Sequence, residues 1–209
     1  GLRDLQAPAA LDELLGRVME ARTRLVAHGK PSRPIVVKLA PDVAEDDIAA
    51  IAQRLVAHAV DGIAVSNTTL SRPGLESHPT AKEAGGLSGR PLFQRSTVML
   101  ARFRQATGGK IPMFGVGGID SPETALAKVE AGANLLQLYT GLIYEGPSLI
   151  ERIKEGLSRA VRDAGATSLS QIVGRDAAAW AARGKANSMA VRSGAISREL
   201  RDMTISMRW

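Results

Sequence analysis

The chain has 209 residues and no cysteine; 44% of its residues are hydrophobic, 23% charged and 3% aromatic. That composition excludes a disulfide scaffold, a collagen-like chain, a wholly disordered chain, a thiolate nucleophile and a Cys-ligated metal. The formal net charge of +6 invites an anionic partner, but it is unevenly placed: residues 165–209 carry seven basic against three acidic residues, and residues 1–164 carry 20 against 18. His28, His58 and His78 show no metal-ligand spacing, and no run approaches the ~20 apolar residues of a membrane span.

In chain order, the apolar positions of 11–26 recur at helical spacing and predict an amphipathic helix. The short β-branched run 35–39 predicts a strand buried on both faces, ending in Lys38 and Leu39. Glu45, Asp46 and Asp47 then form an acidic first turn before a stripe of Ile48, Ile51, Ala52, Leu55, Val56 and Ala59, a second helix. A second strand over 62–65 runs into Ser66-Asn67-Thr68-Thr69. The polar stretch 71–88, with Pro73, Gly74, Pro79, Gly85 and Gly86, reads as a long lid or binding loop. Pro91 is placed to start a third helix that ends near Gly108-Gly109, and 112–116 predicts a third strand.

Gly115-Val-Gly-Gly-Ile-Asp-Ser-Pro122 follows, in which Ser121 and Pro122 are an N-cap and first helical residue, with Gly132 as terminator. A fourth strand is predicted over 135–139, and Leu149, Ile150, Ile153 and Leu157 mark the next helix. Beyond Gly165 the periodicity degrades. Residues 172–182 could form one more helix, and 185–209 reads as a weakly ordered basic extension.

Repeated βα units imply a parallel sheet with right-handed crossovers. Polar or glycine residues finish every strand: Lys38, Ser66-Asn67-Thr68, Gly117-Gly118 and Tyr139-Thr140. Functional groups at successive strand C-termini favour a (β/α) barrel over an open doubly wound sheet, although only four of a barrel's eight strands are visible. The fold class is therefore α/β, about four βα units of a (β/α) barrel, half of the eight that close one. Residues 1–164 form this half-barrel and residues 165–209 a basic extension, partly helical or disordered.

The 115–122 glycine run suits a phosphate because glycine lets backbone N–H groups approach an anion and a helix start adds a positive dipole end. A turn required only for strand–helix packing fits that run equally well. Lys38 is either a cation for a bound cofactor or a surface lysine reaching past its strand end. Ser66-Asn67-Thr68 could read a polar heterocycle or carboxylate, or close a local Asx or Ser/Thr turn.

Taken together, Lys38-Leu-Ala-Pro-Asp42, Asp61-Gly-Ile-Ala-Val-Ser-Asn-Thr-Thr69, Gly85-Gly-Leu-Ser-Gly-Arg-Pro-Leu92 and Gly115-Val-Gly-Gly-Ile-Asp-Ser121 resemble, in order, the quinone-dependent (class 2) dihydroorotate dehydrogenases. The resemblance covers roughly residues 1–160. It implies an FMN-binding barrel that oxidises dihydroorotate to orotate in pyrimidine (UMP) biosynthesis, with quinone as acceptor. By resemblance, Lys38 contacts the flavin ring and stabilises its anionic reduced form, Ser66 borders the flavin, and Asn67 and Thr68 hydrogen-bond the substrate. Backbone groups at Gly89, Gly118, Tyr139 and Thr140 enclose the flavin and its phosphate.

The family's catalytic serine belongs to an Asn-x-Ser-Ser-Pro-Asn-Thr-Pro segment expected just before Gly1, and no catalytic base is assigned within the chain. The resemblance thus implies the C-terminal half of a (β/α)8 TIM barrel, a piece expected to be inactive alone. A cytoplasmic location is expected, with peripheral attachment to the inner face of the membrane only in the complete enzyme, and with neither nucleic acid nor a transmembrane segment. The alternative is a non-catalytic half-barrel that binds a phosphorylated ligand as a homodimer.

Overall fold

The computed structural model describes residues 4–72, 74–79 and 81–183. Its elements are α1 (Pro8–Ala27), β1 (Val36–Leu39), α2 (Ile48–Ala57), β2 (Gly62–Val65), α3 (Phe93–Ala106), β3 (Met113–Val116), α4 (Pro122–Ala131), β4 (Leu135–Gln137), α5 (Thr140–Glu145) and α6 (Ser148–Asp163). The four strands form one parallel sheet in the order β1-β2-β3-β4. Sequential order without reversal separates this sheet from a doubly wound one, whose strand order switches direction at its ligand crevice.

The helices agree. Each packs on its neighbour in chain order, α1 on α2, α2 on α3, α3 on α4 and α4 on α6, so all lie in one layer over one sheet face. This is the arrangement of consecutive barrel units, and the sheet with its helices is half of a (β/α)8 barrel.

Burial reports the two faces. Leu39, Ile63, Val65 and Met113 point into the helices, joining Leu11, Leu15, Ile51, Leu55, Leu100 and Phe103 in the main core. A smaller cluster of Ile119, Ala125, Leu149 and Ile153 seals α4 against α6. The opposite, inner face carries Val36, Lys38, Ala64, Phe114 and Leu135, which the register places side by side. A Cβ at Gly62 would lie 3.1 Å from the Phe114 ring and 3.3 Å from Val36, so the glycine makes room for an aromatic ring crossing that face. At the sheet edges this face is open: Val36 is 43% and Leu135 53% exposed.

Local signals behave as their chemistry requires. Ser121 and Thr124 form a reciprocal capping box at the start of α4, with Pro122 at the first turn and Gly132 at φ +127° ending the helix. Such a cap contributes about 1 kcal/mol. Two features were not anticipated. The polar Tyr139-Thr140-Gly141 stretch, expected to finish a strand, instead opens the short helix α5, with Tyr139 just before it.

The expected boundary at residue 164 also does not end the packed unit. The further helix expected within 172–182 is present over 177–183, but it is packed: Ile172, Ala177, Trp180 and Ala181 are buried, and Trp180 meets Phe93 edge-on with ring centroids 5.9 Å apart. The amides of Gly174 and Asp176 donate to the Val129 and Glu130 carbonyls at 2.9 and 3.0 Å, satisfying the C-terminal end of α4. The indole thus fills space beside α3, while the chain before it caps α4. The remainder of the expected extension, 184–209, lies outside the described residues.

Candidate functional site

The four strands deliver their C-terminal ends to one rim. On β1, Lys38 alternates with the buried Leu39, so the pleat that buries the leucine among the helices turns the lysine to the inner face, where it is exposed. It stands in register with Ala64 on β2, whose small side chain leaves space beside the ammonium stem.

Beyond β2, Ser66 is 2% exposed and its amide donates to the Val116 carbonyl at 3.2 Å. Its hydroxyl donates to the Asn67 carbonyl at 2.8 Å. The Asn67 amide N–H reaches back to Leu39 on β1 at 2.7 Å, and its side-chain Oδ1 accepts from the Thr68 amide at 3.0 Å. With Oδ1 so engaged, the exposed side chain offers its two Nδ2 hydrogens to an acceptor. The local Asx turn and a ligand-reading role, posed as alternatives from the sequence, are therefore compatible.

Thr69 and Leu87 exchange backbone hydrogen bonds at 3.2 and 2.7 Å, which pin the two ends of the 71–88 loop. Asp42 fastens that base from β1: it accepts from Thr69 Oγ1 at 2.5 Å, from the Leu70 amide at 2.9 Å and from Arg95 at 2.9 Å. Gly86 lies against Thr68, where an added Cβ would fall 1.9 Å from the Thr68 hydroxyl. The loop end and the Asn67-Thr68 segment are thereby one packed unit.

The β3 and β4 end is built from close backbone approaches. Gly118 sits at φ +72°, and a Cβ there would lie 2.4 Å from the Phe93 Cβ and 2.5 Å from its Cα. Gly117, at φ +101°, lies equally close to Leu92 and Ser96. Gly141 abuts the Ile119 carbonyl, where a Cβ would fall 2.1 Å from the oxygen. Gly89, at φ +77°, faces the Thr140 methyl, and Thr140 Oγ1 donates to Ser88 Oγ at 3.0 Å. These contacts bring Gly89, Gly118 and Thr140 together.

Tyr139 contributes backbone: its carbonyl accepts from Leu142 at 3.1 Å, while its ring is 77% exposed. The glycine cradle and the first amides of α5, which precede any intrahelical acceptor, provide N–H groups of the kind an anion accepts from.

Three basic side chains and their partners brace this end. Arg90 pairs with Asp120 and lies 3.6 Å from Glu145, tying the start of α3 to the β3 loop and to α5. The hydrogen bond and charge of Asp120 raise the Arg90 pKa further. Arg152 holds the other Glu145 oxygen at 3.0 Å. Behind the loop, Lys128 of α4 is fully buried, and its Nζ donates to Ser96 Oγ at 2.5 Å.

Sequence reasoning passed over Asp42, Arg90, Asp120 and Lys128. Lys128 left a signal: it falls in the buried stripe of Ala125, Val129 and Ala131, a cation on the apolar face of a helix. No group of three or more His, Asp or Glu that could hold a metal occurs among the described residues. Among them, too, no helix is long and apolar enough to cross a membrane. His58 pairs with Asp12 at 2.8 Å between α2 and α1, far from the rim.

Residues 1–161 match the family described as dihydroorotate dehydrogenase. The curated dihydroorotate dehydrogenases (quinone) of Brucella ovis and Brucella abortus are each 54% identical over 183 residues, covering 88% of this chain and 50% of the relative. The chain thus spans about half the length of the curated relatives it matches, and the aligned stretch runs past residue 164. Among solved structures, the DHODH of Eimeria tenella in complex with ferulenol is similar with a TM-score of 0.76 and 31% identity, over 84% of this chain and 50% of that one. The ligand-free form from the same organism is similar with a TM-score of 0.76 and 30% identity, over 84% and 52%.

Proposed function

The chain belongs to the dihydroorotate dehydrogenase family, and on that premise we propose that it supplies the half-barrel that holds the FMN phosphate and the pyrimidine in a quinone-dependent enzyme of pyrimidine biosynthesis. The observation that carries the reading is the rim itself, where a cation, an amide and a glycine cradle converge from four consecutive strands. The cradle fits a phosphate because side chains are excluded at Gly117, Gly118 and Gly141 by neighbours within 3 Å, leaving backbone as the only surface.

FMN, when bound, supplies a hydride acceptor for the carbon to be oxidised. This chain's own residues bind and orient. Gly89, Gly118, Tyr139 and Thr140 present backbone to the phosphate end, and Ser66 borders the ring with its amide committed to Val116. Lys38 places a positive charge on the inner face, where negative charge that develops on a bound ring is stabilised. Asn67 donates through Nδ2 to a substrate carbonyl or carboxylate oxygen, with Thr68 beside it.

None of these rim groups is a carboxylate or an imidazole, and amides and hydroxyls do not abstract a proton unaided. The base comes from the serine segment that the family places in its other barrel half. Loss of a base alone lowers rates by about 10²–10⁴-fold.

Titration of the 209-residue chain with FMN, read by flavin fluorescence and by thermal unfolding, tests the holding role. Binding with a raised Tm is expected, Lys38→Met should weaken it without changing the ligand-free Tm, and dihydroorotate with a soluble quinone should show no turnover. Failure to bind FMN would overturn the holding role. Turnover at the rate of complete enzymes would overturn the assignment of the base.

A further inference from the structure

Lys128 is a fully buried lysine with no carboxylate partner among the described residues. Its surroundings are a hydroxyl, a carbonyl and a ring: Nζ donates to Ser96 Oγ at 2.5 Å and to the Val116 carbonyl at 3.5 Å, and lies 5.4 Å from the centroid of Phe93. Burial pushes its pKa well below the usual lysine value. An unpaired cation is costly to bury, and an apolar side chain of the same length would fill the space without that cost.

What the cation touches is the back of the glycine cradle. Ser96 Oγ, which accepts from Lys128, has its own proton shared between the carbonyls of Phe93 at 3.1 Å and Gly117 at 3.2 Å. Phe93 is the residue on which Gly118 rests, and Leu92 and Ser96 are those on which Gly117 rests. The Gly117–Gly118 peptide is trans, so its N–H points opposite to its C=O. With the Gly117 carbonyl drawn toward Ser96, the Gly118 N–H is turned to the other side, away from the helices.

We propose that Lys128 is a positioning residue for the anion held over β3 and β4: through Ser96 it orients the Gly117–Gly118 peptide, so that the Gly118 N–H faces a ligand phosphate. This rests on the phosphate-holding role proposed above. A buried amine and hydroxyl hold that peptide without competition from water, where hydrogen bonds are strongest. The helix-side placement also keeps the lysine from contacting the ligand.

The test uses the 209-residue chain and two probes, FMN and inorganic phosphate, with affinity and urea stability measured on the same samples. Lys128→Met should lose on the order of tenfold in affinity for both probes, while its ligand-free stability stays level or rises. A residue that serves only packing would show stability and affinity falling together. Ser96→Ala should weaken binding in the same direction, and the double variant should bind no worse than Lys128→Met alone, because both changes cut one relay.

Wild-type affinity in Lys128→Met, additive losses in the double variant, or parallel losses of stability and affinity would each overturn the proposal. Should Lys128→Met fail to fold, Ser96→Ala decides: weaker binding supports the relay and unchanged binding overturns it. A wild-type chain that binds neither probe would overturn the phosphate-holding role and this inference with it. A chain that binds both, with variants that bind equally well, would overturn this inference alone.

Discussion

The rim over β3 and β4 is made of backbone, whereas the rim over β1 and β2 presents side chains. At the first, Gly117, Gly118 and Gly141 lie within 3 Å of where a neighbour would meet any added Cβ, and Arg90, Asp120 and Glu145 lock the surrounding turns. At the second, Lys38 and Asn67 are exposed and held mainly through their own backbones, with Asp42 bracing the loop beneath them. The contrast matches two kinds of ligand group. A phosphate presents oxygen acceptors on all sides and is served by rigid N–H donors, whereas a planar heterocycle is distinguished by individually placed side-chain donors.

The comparison breaks most sharply at Gly118. Gly118→Ala forces a left-handed φ onto alanine and drives its Cβ into the Phe93 backbone, so a loss of about 3 kcal/mol or more is expected in urea unfolding. Gly86→Ala, across the rim, sets its Cβ 2.3 Å from the Thr68 Cβ, which side-chain rotation does not move, but imposes no left-handed φ, so it should cost less only by that missing backbone strain. Equal losses would erase the distinction between a backbone-built and a side-chain-built rim.

A middle-sized effect is expected at Asp42. Asp42→Ala leaves the Leu70 amide and Thr69 hydroxyl without their acceptor and should cost about 1–3 kcal/mol. The change should also speed amide hydrogen exchange at Leu70 while leaving protected the Leu142 amide, which donates to the Tyr139 carbonyl at the other rim. Faster exchange at both would mean that the two rims open together.

The smallest effect lies below the rim, at the opposite end of β1 and β2. Asp61 accepts from the Ile35 amide at 2.8 Å and from Arg22 at 2.6 Å, and chiefly the Ile35 hydrogen bond holds its carboxyl below the usual aspartate value of 3.8. A depressed folded-state pKa contributes stability that is fully present above 3.8 and is lost as pH falls through the lower value. Asp61→Asn should therefore flatten the stability profile below about pH 4, measured by unfolding across an acid series. An unchanged acid limb would show that this end of the strand pair does not sense the carboxylate.

Much of this was legible in the sequence because it is written in neighbours. The apolar runs at 35–39, 62–65 and 112–116 lie within a residue of β1, β2 and β3, but the expected burial on both faces does not hold for β1, whose Val36 and Lys38 are exposed on the open inner face, while β2 is buried throughout. Ser121-Pro122 and Gly132 bounded α4 by capping chemistry alone. The glycine run at 115–118 announced a close approach, though not what approached. The start of α5 at Thr140 was not legible, because six residues with no buried apolar stripe carry no periodicity.

By itself, then, the sequence determined where the strands lie and where the first three end, because period, caps and turns depend on adjacent residues. Only the tertiary structure decided that Trp180 belongs to the core, that Asp42 braces a loop 27 residues away, and that Lys128 is buried against Ser96, 32 residues earlier. Burial of a charge and the choice of its partner are properties of packed surfaces. They arise only where helices distant in sequence meet over the sheet.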